Sequence, residues 1–105
     1  MKSKRTKAVD ITRKTREAVK RRDGDMCIMR CGRRGLPNAH FISRAQNGLG
    51  IPENIVTLCF ICHARYDSTT DRLVMQADIE NYLQKKYPDW DKSKLVYNKF
   101  SWLEV

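Results

Sequence analysis

NAHFISRAQNGLGIPENIVTLCFICH, residues 38–63, contains both histidines of the chain and closes on a Cys-x-x-Cys pair that the second histidine follows directly. Its two flanks, "PNAHFI" and "NIVTLC", are rich in strand formers. The middle, "SRAQNGLGIPE", holds two glycines and a proline, which is loop chemistry. The pattern predicts two short strands joined by a long loop, with "CHARYD" opening a helix behind the second strand. Such a β-β-α unit brings His40, on the first strand, close to His63, at the start of the helix.

Working outward, the chain's four cysteines fall in two pairs, Cys27 with Cys31 and Cys59 with Cys62. A tetrahedral zinc ion takes four ligands, and a pair spaced by two to four residues wraps one edge of the tetrahedron. Two such pairs separated by a long insert therefore read as a four-cysteine structural zinc site, the competing reading being four buried thiols. Zinc there ties the segment before the first strand to the end of the second. No secretion signal precedes them, so a disulfide framework is not expected.

Charge is concentrated at the N-terminus. Of a formal net charge of +9, residues 1–22 hold ten basic side chains against two acidic ones. Residues 1–9 read as a disordered basic arm, or one ordered only by a partner. Asp10 is placed to cap a basic helix with a narrow stripe of Ile11, Thr15, Ala18 and Val19, terminated at Gly24. Basic charge of this density suits a polyanion, because each phosphate neutralised releases counterion. The candidate DNA-binding side chains are Lys2, Lys4, Arg5, Lys7, Arg13, Lys14, Arg16, Lys20 and Arg21, with Arg44 in the long loop. The bland alternative is a solvated tail.

Beyond the second cysteine pair, "LVMQADIENYLQKKY" places Met75, Ile79, Tyr82, Leu83 and Lys86 on one helical face, and Pro88 ends it, with Asp71 a candidate cap. "KLVYNKFSWLEV" reads as a strand or as an extended tail packed on the domain. With 105 residues, the chain is expected to form one domain over 10–105: a core of about 24–68 and a C-terminal helical extension, 69–105. No apolar run suggests a membrane span, and a cytoplasmic protein is expected.

Neutral imidazole takes a proton from water or binds a divalent metal. Two of them converging beside a basic patch fit phosphodiester hydrolysis, one activating water and the other holding a metal. Asn54, at the entry to the second strand, is placed to hydrogen-bond backbone across the long loop and fix its shape. Taken singly, His40 reads equally as a half-buried structural histidine, His63 as a spare zinc ligand and Asn54 as a turn residue.

Their joint order, "RRDGDMCIMRCG … AHFISR … NGLG … ENIVTLCFICH", resembles the HNH endonucleases of the ββα-metal superfamily, and more narrowly the small zinc-stabilised HNH proteins of bacteriophages. The spacing carries the resemblance: 14 residues from His40 to Asn54 and 9 from Asn54 to His63. It covers residues 12–67. The resemblance implies a small α+β fold with a ββα-metal core and a structural zinc on the four cysteines, preceded by the basic helix and followed by a C-terminal one. By the same likeness, His40 is the general base, Asn54 holds the loop that aims it, and His63 binds a catalytic Mg²⁺ or Mn²⁺. The implied substrate is double-stranded DNA, cut or nicked to leave 5′-phosphate and 3′-hydroxyl ends. Proximity to a phage DNA-packaging terminase is a family-level expectation.

Two departures stand out. The first cysteine pair is Cys-x-x-x-Cys, a spacing zinc accepts. Ala39 occupies a position where many family members carry a metal-binding Asp or His. Asp67, one helical turn beyond His63, is a candidate replacement ligand or else a surface carboxylate. A carboxylate at position 39 is expected to restore the missing ligand. The rival readings are a weakly catalytic HNH-fold module that binds nucleic acid, with zinc for structure only, and a zinc-ribbon adaptor, which leaves the histidines and the basic arm unexplained.

Overall fold

A computed structural model describes residues 3–98. It is a small α+β structure whose order is α1 (Lys4–Val9), α2 (Arg13–Asp23), β1 (Leu36–His40), β2 (Ile55–Leu58), α3 (Phe60–Ser68) and α4 (Arg72–Lys86), with short 3-10 turns at Arg44–Gln46, Pro52–Asn54 and Lys92–Leu95. The strands form an antiparallel pair, Ala39 opposite Val56 and His40 opposite Ile55, with an irregularity between Leu36 and Ala39. Every residue of β2 is buried. That accounts for its unbroken run of Ile55, Val56, Thr57 and Leu58, because a strand covered on both faces has no solvent side to make polar.

The core gathers Phe41, Val56, Leu58 and Tyr66 with Met75, Ile79 and Leu83 from one face of α4. The face expected for α4 is therefore the buried one, although Tyr82 is half-buried and Lys86 lies exposed at its rim. Asp71 is the N-cap residue but makes no side-chain capping bond. Phe41 meets Trp90 edge-to-face at 5.6 Å, and the Trp90 indole N–H donates to the Glu53 carbonyl at 2.8 Å. Among the described residues no helix is long and apolar enough to cross a membrane.

Two N-terminal expectations need correction. Residues 4–9 of the expected disordered arm form α1, which Ser3 caps through its hydroxyl and which ends in Val9, fully buried. The basic helix is capped not by Asp10 but by Thr12, whose hydroxyl accepts from the Thr15 N–H at 3.1 Å. Asp10 instead closes α1, its N–H donating to the Thr6 carbonyl. Gly24 ends α2 in the left-handed conformation (φ 64°), as its position implied.

The α1 helix is fastened to the long loop between the strands. Arg5 donates to the Asn47 side chain at 2.5 Å and to the Arg44 carbonyl at 2.6 Å. The Gly50 N–H donates to the Ala8 carbonyl at 2.9 Å, and the Thr15 hydroxyl to the Gly50 carbonyl at 2.8 Å. Gly50 has to be glycine, since a Cβ there would lie 2.0 Å from the Asp10 carbonyl oxygen. In the C-terminal segment, Lys94 and Leu95 lie in a 3-10 turn and Val96 bridges to Gly48. The rest of that segment, from Lys99 on, falls outside the described residues, as does Lys2.

Candidate active site

The four cysteine sulfurs lie within 4.8 Å of one another, with Cys31 and Cys59 3.5 Å apart. Tetrahedral zinc with bonds of about 2.3 Å sets its sulfurs about 3.8 Å apart, so the cluster could bind a structural metal ion such as zinc. Local backbone builds the cradle. Arg30 (φ 59°) and Gly32 (φ 78°) take left-handed conformations on either side of Cys31, and Met26 bridges to Arg34. The Cys59 sulfur caps α3, accepting from the Cys62 N–H at 3.3 Å. A hydrogen bond from the Arg33 backbone holds the Cys31 thiol at about 6, whereas burial pushes Cys62 up to about 12 and raises Cys27. Zinc takes cysteine as the thiolate, so binding there would release protons.

Asn54 is fully buried and spans the loop. Its side-chain carbonyl accepts from the Ile42 N–H at 2.8 Å, and its amide donates to the carbonyls of Ile42 (3.1 Å) and Leu49 (2.8 Å). Gly48 makes room for it, because a Cβ there would sit 1.7 Å from the Ile42 carbonyl oxygen. The loop that follows His40 is thereby closed on itself.

His40 is half-buried, and its Nε2 lies 2.9 Å from the carbonyl oxygen of Val9, the last residue of α1. A carbonyl only accepts, so Nε2 carries the proton and Nδ1 is the basic nitrogen. Burial lowers the His40 pKa and the charge of Arg44 lowers it further, against the opposing pull of the Val9 carbonyl and Asp10. Burial and Arg44 thus both favour the neutral ring.

The α3 helix places His63 and Asp67 one turn apart, with His63 Nε2 3.2 Å from Asp67 Oδ2. A hexacoordinate Mg²⁺ or Mn²⁺ with bonds of about 2.1 Å sets adjacent ligands about 3 Å apart, so these two atoms fit one edge of such a shell. Asp67 is more than half exposed, so the pair opens to solvent. A cleft of about 320 Å³ joins the two halves: His40, His63, Asp67, Asn38, Arg44 and Arg72 all line it.

Ala39, in contrast, packs in the hydrophobic core with no exposed surface. A carboxylate substituted there would enter the core instead of joining His63. That burial argues against the expectation that it restores a ligand.

The basic side chains divide by role. Lys4, Lys7, Lys14 and Arg21 are exposed. Arg13 pairs with Glu17 at 3.0 Å, Lys20 lies 3.8 Å from Asp25, and Arg16 donates to the Ile11 carbonyl. Arg5 clasps the loop as above, and Arg44 meets the Asp10 carboxylate at 2.5 Å. Arg22, in contrast, is a core element. It is bound to Asp23 and donates to the carbonyls of Pro52 and Ile55, while Asp23 accepts from the Thr57 N–H and from the Tyr82 hydroxyl. The "RRDG" stretch thus anchors α2 to β2. A shallow hollow lined by Arg13, Arg16 and Lys20, with Glu17 and Asp25 among them, shares Leu36 with a second groove lined by Asn38, His63 and Asp67. Basic α2 and the cleft therefore lie on one continuous surface.

Sequence reasoning missed three contributors. Asn38 stands two residues from His40 on the same strand, a spacing that could have flagged it. Arg72 comes from α4, outside the β-β-α unit, and the Val9 carbonyl is backbone, so neither leaves a sequence signal. Comparison with family models, curated proteins and solved structures returned no match.

Proposed function

We propose that the chain is a divalent-metal-dependent endonuclease or nickase of the HNH type, acting on double-stranded DNA and stabilised by zinc on Cys27, Cys31, Cys59 and Cys62. The observation that carries this reading is the shared cleft: a half-buried imidazole with a defined basic nitrogen faces the same space as a histidine–carboxylate pair spaced for a metal. His40 Nδ1 takes a proton from water as the water oxygen bonds to phosphorus. The P–O3′ bond breaks, the leaving oxygen takes a proton from solvent, and a 5′-phosphate and a 3′-hydroxyl result. When bound to His63 and Asp67, Mg²⁺ or Mn²⁺ supplies positive charge to the phosphate and the leaving oxygen. Asn54 keeps the loop closed, and α1 keeps the imidazole aimed. Basic α2 supplies sequence-independent attraction for the duplex.

The second reading is a nucleic-acid-binding module with a structural metal and no hydrolysis. Ala39 favours it, since its buried methyl offers nothing to a metal. Incubating the zinc-loaded protein with supercoiled plasmid and Mg²⁺, Mn²⁺ or EDTA separates the two. The nuclease reading requires divalent-dependent nicks with ligatable 5′-phosphate ends. Retention of DNA with no cleavage under any metal selects the module.

A further inference from the structure

Two guanidinium groups line the cleft beside His40 and His63, and they are held differently. Arg44 meets a full carboxylate, Asp10, at 2.5 Å. Arg72, the first residue of α4, is held mainly by neutral groups. Its guanidinium lies 4.1 Å above the Tyr66 ring, and its Nη1 donates to the Tyr66 carbonyl at 3.0 Å. The nearest carboxylate oxygen, Asp67 Oδ1, is 3.8 Å away, and the other oxygen of Asp67 is already against His63. Both of these contacts use Nη1, in a group with five N–H donors. Tyr66 is itself fixed: it is buried, and its hydroxyl donates at 2.8 Å to the carbonyl of Phe41, the residue after His40. A chain of contacts thus runs from Phe41, next to His40, through Tyr66 to Arg72.

We propose that Arg72 binds the scissile phosphate, donating from its guanidinium to a non-bridging oxygen and stabilising the charge that builds there as water attacks. This rests on the nuclease reading above. It makes α4 part of the catalytic apparatus, although the sequence pattern places that helix outside it. Arg72 transfers no proton, so the bond changes remain those already given. A planar guanidinium seated over an aromatic ring and bonded to a carbonyl is suited to the task because it is positioned before the phosphate arrives.

The test compares wild type, Arg72→Ala and Arg72→Lys under single-turnover conditions on plasmid DNA, with zinc content and thermal unfolding measured in parallel. Arg72→Ala is expected to slow cleavage about 10²-fold at saturating DNA. Its Mg²⁺ or Mn²⁺ half-saturation and the pH of half-maximal rate should stay within threefold and about 0.3 pH unit of wild type, the margins set for no change. Arg72→Lys should recover part of the rate, as charge returns without the fork. A rate for Arg72→Ala within threefold of wild type overturns the proposal while leaving the nuclease reading intact. So does a loss that excess metal repairs, which would mean that Arg72 acts only through Asp67. If Arg72→Ala unfolds, the rate of folded Arg72→Lys decides: wild-type speed overturns phosphate binding, and a tenfold or greater loss supports it. A wild-type protein that cleaves nothing overturns both readings.

Discussion

Asn54 uses its amide in both directions, accepting one backbone hydrogen bond and donating two, with no solvent to replace any of them. Truncation to alanine strands the Ile42 N–H and two carbonyls in the interior. Asn54→Ala is therefore expected to cost about 3 kcal/mol of stability, read by urea unfolding at constant slope. At His40 the direction of the pKa shift makes a kinetic prediction. The base is active when neutral, so cleavage should rise with pH through a midpoint below the ordinary imidazole value of about 6.5 and be flat by neutrality. Arg44→Ala removes a positive neighbour and leaves the Asp10 carboxylate without that partner, and both changes favour the imidazolium. The midpoint should move to higher pH in the pH–rate profile of that variant. A downward shift would mean that Arg44 does not act on His40.

At the scale of elements, α1 is where the sequence misled. Six residues rich in lysine and arginine read as a solvated arm, because a helix this short is not stable alone and its partner, the 43–50 loop, lies far along the chain. Its single fully buried apolar residue, Val9, leaves no periodicity to detect. On the nuclease reading this bears on catalysis, since the carbonyl that holds His40 belongs to this helix. Removing residues 1–9 should thus do more than weaken DNA binding: it should lower the unfolding temperature and slow cleavage at saturating DNA. Val9→Ala, which keeps the charge, should alone cost roughly 2 kcal/mol. Wild-type stability in the truncated protein would show α1 to be dispensable. Elsewhere the elements were legible. The strands, α3 and α4 announced themselves through strand formers, a closing Cys-x-x-Cys-His and helical spacing of Met75, Ile79 and Leu83, each reporting a local burial pattern. Arg72 was not legible, because its position in the cleft comes from the turn between α3 and α4.

For the whole molecule, the thiol cluster and the cleft share one short helix: Cys59 caps α3 and Cys62 lies in its first turn, while His63, the next residue, and Asp67, one turn on, line the cleft. A metal bound by the four cysteines would orient that helix, and with it the His63–Asp67 pair. Purified under reducing conditions, the protein should carry one zinc per chain, and Cys62→Ser should lose it together with much of its cooperative unfolding. Zinc-free protein with unchanged stability would remove the structural claim. The proposed roles of His40 as base and His63 as metal ligand are separated by a divalent titration of single-turnover plasmid cleavage by wild type, His40→Ala and His63→Ala, with Mn²⁺ affinity measured separately. His40→Ala is expected to lose at least about 10²-fold in rate and to bind Mn²⁺ as wild type does, whereas His63→Ala is expected to lose both rate and affinity. Equal Mn²⁺ affinity in all three proteins, or undiminished cleavage by His40→Ala, would contradict these roles.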